Sequence, residues 1–139
     1  MKRIIPLILA VMVLLCGMPG AASAQQQKIN KKNLVIKEWN SPAGSGKKVL
    51  DHQTIYNADG KKIEEKEYGS DGLKWTKRYE YGADGKVSRE LAYDGRNKLV
   101  TVKKFEYNEF GRKKVQYTYD PKGRLLTVKN FEYLAEDSE

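Results

Sequence analysis

From residue 47 onward, apolar and polar positions alternate in runs of roughly eight to ten residues, rich in Tyr, Val, Thr, Phe and Leu. Such runs, broken by Gly, Asn, Asp and Pro, predict β-strands joined by tight turns. The pattern predicts eight strands, at 34–39, 47–56, 61–68, 73–81, 86–93, 98–107, 112–119 and 124–133. The loop "NSPAGSG" joins the first two. Short turns make neighbouring strands antiparallel and adjacent. The expectation is an all-β, up-and-down meander without helix.

The punctuation is periodic. Tyrosines stand at 56, 68, 81, 93, 107, 119 and 133. Four residues after each of the first six comes Gly60, Gly72, Gly85, Asn97, Gly111 or Gly123. The turns "NADG", "GSDG", "GADG", "DGRN", "NEFG" and "DPKG" read as type I turns closed by a residue in the left-handed region. These six positions are assigned a structural, turn-forming role.

A three-residue loop plus bulge places Tyr n opposite residue n + 6. If the register then continues unbroken, one face carries Tyr81, Val87, Leu91, Tyr93, Leu99, Phe105, Tyr107, Val115, Tyr117, Tyr119, Leu125, Phe131 and Tyr133. The other face is charged, with a small apolar patch of Ala92, Val100, Val102, Leu126 and Val128, which the N-terminal segment, a homodimer mate or a partner would cover. The gap from Tyr68 to Tyr81 is odd, which predicts an irregularity between Tyr68 and Trp75. The segment "KKIEEKEY" (61–68) is charged on both faces and cannot line a dry core. An open, twisted, partly single-layer sheet is therefore favoured; a closed eight-stranded barrel is the alternative.

The N-terminus reads differently. Lys2 and Arg3 precede an apolar run, Ile4 to Leu15, and "AASA" precedes Gln25. This is the pattern of a signal peptide, with cleavage after Ala24. The alternative is lipidation at Cys16. The divisions are then 1–24 signal peptide, 25–33 flexible N-terminal segment, 34–133 hairpin-repeat domain and 134–139 acidic tail. The mature chain has no cysteine, which suits a bacterial envelope, periplasmic or surface-exposed, better than a disulfide scaffold.

The chain carries 26 Lys and Arg against 18 Asp and Glu, a net charge of +8. Lys alternates with Glu, which makes a self-compensated surface rather than a nucleic-acid track. His52 is the single histidine. No nucleophile, base and orienter stand at suggestive spacing, so no catalytic residue is assigned. Asp59, Asp71, Asp84, Asp94 and Asp120 recur in turns. Turns on one margin lie two strands, roughly 9.5 Å, apart, too far to converge on one cation. They read as turn formers, and neither a metal nor a cofactor is expected.

The continuous register aligns Tyr79, Arg89, Lys103 and Tyr117 in one row on the apolar face. Two cations framed by aromatics suit an anion such as an acidic sugar. The alternative is that both heads reach water while their stems cover the sheet.

At "YTYDPKGRL", Tyr117, Tyr119, Asp120, Gly123, Arg124 and Leu125 resemble the YD repeat of Rhs-type proteins. "YEYGADGKV" (79–87) and "FEYNEFGRK" (105–113) are looser matches, and the resemblance spans roughly 56 to 133. It implies β-hairpin repeats that build shells or surface modules binding carbohydrate or cell-surface partners. The leader and the "QQQ" start also resemble small exported proteins of Bacteroides-type bacteria. The expected role is non-enzymatic binding or structure in the envelope, toward a protein or carbohydrate partner. An accessory protein pairing through a sheet edge and an unrecognised hydrolase are the alternatives.

Overall fold

The computed structural model describes residues 28–135. The leader, the cleavage site, Cys16 and the last four residues lie outside them. Eight strands form one antiparallel sheet in chain order: β1 (Val35–Asn40), β2 (Val49–Tyr56), β3 (Lys62–Gly69), β4 (Gly72–Tyr81), β5 (Val87–Asp94), β6 (Leu99–Tyr107), β7 (Lys113–Tyr119) and β8 (Leu125–Asn130). β1 and β8 do not pair, so the sheet is open and the barrel alternative is not formed. No helix of the described residues is long and apolar enough to cross a membrane.

The turns explain why so little apolar sequence suffices to fix the order. Asn57, Asp94, Asn108 and Asp120 each accept backbone N–H bonds from the second and fourth residues after them, at 2.9–3.1 Å. The side chain thus holds the loop through bonds local to the turn, independent of the strand pairing. Asn97 adopts φ 61°, matching Gly123 at φ 82°. Asn tolerates the left-handed region better than most residues, which is why it can stand in for glycine there. Residues 31–33, expected to be flexible, close a further turn with Leu34: Leu34 N–H bonds Lys31 O at 3.2 Å, Asn33 N–H bonds Asn57 O at 2.9 Å, and Asn33 has φ 53°.

The register corrects the expected faces. Tyr56, Tyr81, Tyr93, Tyr107 and Tyr119 do stand opposite residue n + 6. One step further in, each ladder shifts by one, because Ile63, Ser88, Val100, Lys114 or Leu126 is an extra residue on the outgoing strand. A bulge of this kind reverses which residues share a face beyond it. The single apolar face is therefore split. Tyr79, Tyr81, Val87, Phe105 and Tyr107 fall on one face; Leu91, Tyr93, Leu99, Val115, Tyr117, Tyr119 and Leu125 fall on the other. The patch expected from Ala92, Val100, Val102, Leu126 and Val128 dissolves too. Val102 and Val128 join the Tyr117 face, Ala92 joins the Tyr79 face, and Val100 and Leu126 are bulge residues. Between Tyr68 and Trp75 the irregularity is an extra residue, Lys74, beside the tight Gly69–Gly72 turn.

A single layer has no interior. Val115 is the one buried apolar side chain among the described residues, with Thr54, Thr76 and Asp120 the buried polar ones. Stability has to come from the backbone ladders and from cross-strand pairs. The charged strand β3 shows how. Glu64 accepts ion pairs from Lys66 and Arg78, both at 2.9 Å. Glu65 holds Lys62 at 2.6 Å and accepts the Tyr79 hydroxyl. Glu67 meets His52 Nδ1 at 2.9 Å, and the His52 ring stands edge-on to Trp75. Lys and Glu stems lying across the sheet thus do the covering that a second layer would otherwise do.

Candidate binding surface

The turn margin shared by Tyr56, Tyr81, Tyr107 and Tyr133 repeats one arrangement. Tyr81 Oη donates to Lys62 O at 2.7 Å, Tyr107 Oη to Val87 O at 2.6 Å and Tyr133 Oη to Lys113 O at 2.7 Å. A cation lies over each ring: Lys31 on Tyr56, Lys61 on Tyr81, Lys86 on Tyr107 and Arg112 on Tyr133, at 5.1–5.8 Å from the centroid. The structural unit is thus a pair of strands, twice the period of the tyrosines. On the opposite margin Arg78 covers Tyr93 at 5.1 Å and Lys104 covers Tyr119 at 5.2 Å. Gln53 holds the corresponding place in β2, three residues before Tyr56.

The bulges break up the expected row of Tyr79, Arg89, Lys103 and Tyr117. Tyr79 stands opposite Glu90, and Glu90 opposite Lys103. Lys103 is ion-paired to Glu90 at 3.4 Å. Tyr79 is tied to Glu65; burial first, and then that hydrogen bond, push its phenol pKa upward. Arg89 and Tyr117 lie on the other face. The cause is the extra Ser88, which moves Arg89 from the Tyr79 row to the Glu80 row.

The same shift creates a different pairing. Arg89 stands opposite Lys104, and Lys104 opposite Tyr117. Two like charges meet on neighbouring strands, an arrangement that costs free energy in a sheet unless something offsets it. On the other flank Glu80 reaches Arg89 at 3.3 Å. The Arg89 Nε is buried and has no hydrogen-bond partner among the described residues. Arg89, Lys104, Leu99, Val102 and Tyr119 line an open groove of about 350 Å³, closed at one end by the Asp120–Gly123 turn. Lys104 was missed in the sequence because the expected register placed Lys103 across from Arg89. The repeated bulge is the signal that distinguishes the two.

Chemically, the groove offers a planar guanidinium, a flexible ammonium, a tyrosine ring and two aliphatic side chains. That set can bind a carboxylate while a sugar or similar ring packs on Leu99 and Val102. Asp120 is already engaged: backbone N–H bonds, led by that of Arg124, and the Arg124 guanidinium at 2.6 Å hold its carboxyl below the usual range. Asp94, in the β5–β6 turn of the same margin, is likewise lowered by the N–H groups of Lys98 and Arg96. Both serve the turns. Among the described residues no three His, Cys, Asp or Glu side chains converge as a metal site. No protein-family model matches the chain, and no curated protein is significantly similar to it.

Proposed function

We propose that this is an exported, non-enzymatic protein of a bacterial envelope, built of YD-type hairpins, that binds an acidic carbohydrate or a similar anionic surface ligand. The observation that carries the reading is Arg89 facing Lys104 in the groove floored by Leu99 and Val102, with one guanidinium donor unpartnered. An anion seated between the two cations offsets their repulsion. Neighbouring cations are engaged elsewhere, Lys103 by Glu90 and Arg78 by Glu64, whereas Lys104 forms no ion pair among the described residues and Arg89 meets Glu80 on its other flank.

The test is titration of the purified protein with polygalacturonate at several salt concentrations. Binding that weakens with salt, and weakens several-fold further in Arg89→Ala and in Lys104→Ala, supports the reading. Lys103→Ala serves as the matched control and leaves binding unchanged. If the Arg89→Ala, Lys104→Ala double variant binds as the parent does, the groove is not the site.

A further inference from the structure

We infer that the sheet continues from molecule to molecule: β8 of one copy pairs with β1 of a second copy, head to tail, in the register that the protein's own hairpins use.

Both outer strands are built like inner ones but left uncovered. Every residue of β1 and of β8 is exposed. Trp39 is 54% exposed and Val35 48%; Leu125, Leu126 and Val128 are 52%, 54% and 48% exposed. Repeat folds usually end in polar capping units, and edge strands usually carry protection against pairing. These strands instead present large apolar side chains at both ends of the sheet.

Polarity permits the junction. With eight alternating strands, β1 runs antiparallel to β8, so a second copy's β1 continues the alternation. The register can be read from the three inner junctions on the same margin. There Tyr56, Tyr81 and Tyr107 stand opposite Lys62, Val87 and Lys113. Each of these partners follows a positive-φ glycine (Gly60, Gly85 or Gly111) by two positions. In β1 the positive-φ residue is Asn33, so Val35 holds the equivalent place. In the segment that follows β8 the equivalent tyrosine is Tyr133, whose hydroxyl makes the same backbone bond as Tyr81 and Tyr107.

Superposing that register puts Tyr133 opposite Val35 of the next copy. After the bulge, at Ile36, it puts Glu132 opposite Lys37. Within the chain the corresponding pair is Glu80 and Arg89, which are in contact at 3.3 Å. The register that the repeat dictates therefore brings one opposite-charge pair, Glu132 and Lys37, together across the two outer edges. An interface of this type is heterologous, each copy offering one edge and leaving the other free, so it produces a series of oligomers rather than a two-fold dimer.

Sedimentation velocity on the full chain, purified after export, tests this over a range of concentrations. The expected result is monomer, dimer, trimer and longer species in a concentration-dependent series. Lys37→Glu and Glu132→Lys should each weaken association about tenfold through like-charge contact, and the double exchange should restore it. Both positions are exposed, and unchanged far-UV circular dichroism shows that the variants remain folded. A monomer at every concentration overturns the inference. A series ending at dimer overturns it in favour of two-fold pairing. Association insensitive to both exchanges overturns the register.

Discussion

The hydroxyl of Tyr107 donates to the carbonyl of Val87 at 2.6 Å, from the end of β6 to the start of β5. Tyr81 and Tyr133 make the same bond one strand pair earlier and later. Each bond locks the open end of a strand pair, where a single-layer sheet would otherwise fray. Tyr107→Phe keeps the ring under Lys86 and removes only this bond. Its expected cost is about 1 kcal/mol, or roughly 4–8 °C in Tm, measured by thermal denaturation. A Tyr107→Phe protein that melts like the parent would show that the ring, not the hydroxyl, does the locking.

Glycine positions separate two kinds of strain. Gly123 has φ +82° with nothing near a built Cβ, so Gly123→Ala is strained through the backbone alone and should cost about 1–2 kcal/mol. Gly95 lacks a positive φ, but a Cβ there would lie 2.2 Å from the Leu73 carbonyl oxygen. Gly95→Ala therefore forces the β5–β6 turn away from the start of β4 and should be the more damaging of the two. Asn97→Gly, at φ 61°, should be neutral or slightly stabilising. Urea denaturation of the three variants gives the ranking.

The strands and turns were legible because both are local signals. Alternation marked the strands, and "DPKG" or "NADG" states its turn in four residues. Register was only half legible. The first pair after each turn, such as Tyr81 with Val87, follows from loop length. The bulge one step later does not, because Ser88 and Lys114 have no shared side-chain chemistry; the bulge belongs to the backbone geometry of the turn. A one-residue slip moves every side chain to the other face, so that gap alone was enough to name Lys103 where Lys104 belongs. Gly95 was invisible for another reason. Its constraint comes from Leu73, on a strand that is not adjacent in sequence.

Acid should weaken the sheet through β3. Burial raises the Glu65 carboxyl, but hydrogen bonds from Lys62 and Tyr79 outweigh it, and the folded-state pKa lies below the ordinary 4.5. Glu64 behaves alike through Lys66 and Arg78. A lowered folded-state value means stability that is fully present above the unfolded value and lost as pH falls through the folded one. Stability should thus be flat above about pH 5 and fall below about pH 4.5. Glu65→Gln should be less stable at pH 7 but lose less on acidification. At the alkaline end the sign reverses for Tyr79. Its raised pKa stabilises the fold below the ordinary value of 10.0, and that contribution is lost as pH rises above it. Chemical denaturation from pH 3 to pH 11 measures both limbs. A Glu65→Gln profile parallel to the parent's would remove this pair from the acid response.

Thr76 offers the reverse experiment, a substitution expected to help. It sits mid-sheet in β4, 1% exposed, opposite Tyr93 and Lys66. Its Oγ1 is buried without a hydrogen-bond partner among the described residues. An unsatisfied buried hydroxyl costs on the order of 1–3 kcal/mol, whereas valine has nearly the same shape and no polar atom to strand. Val is also a strong strand former. Thr76→Val should therefore raise stability by up to about 1 kcal/mol, with part of the desolvation gain offset by imperfect packing of the second methyl. Thr76→Ser keeps the stranded hydroxyl and loses the methyl, so it should lower stability. Opposite signs for Val and Ser in one denaturation series are the expected result. If Val is the more destabilising of the two, the hydroxyl is satisfied in solution, by an ordered water reached through this thin sheet, and the pairing around Thr76 is looser than its burial implies.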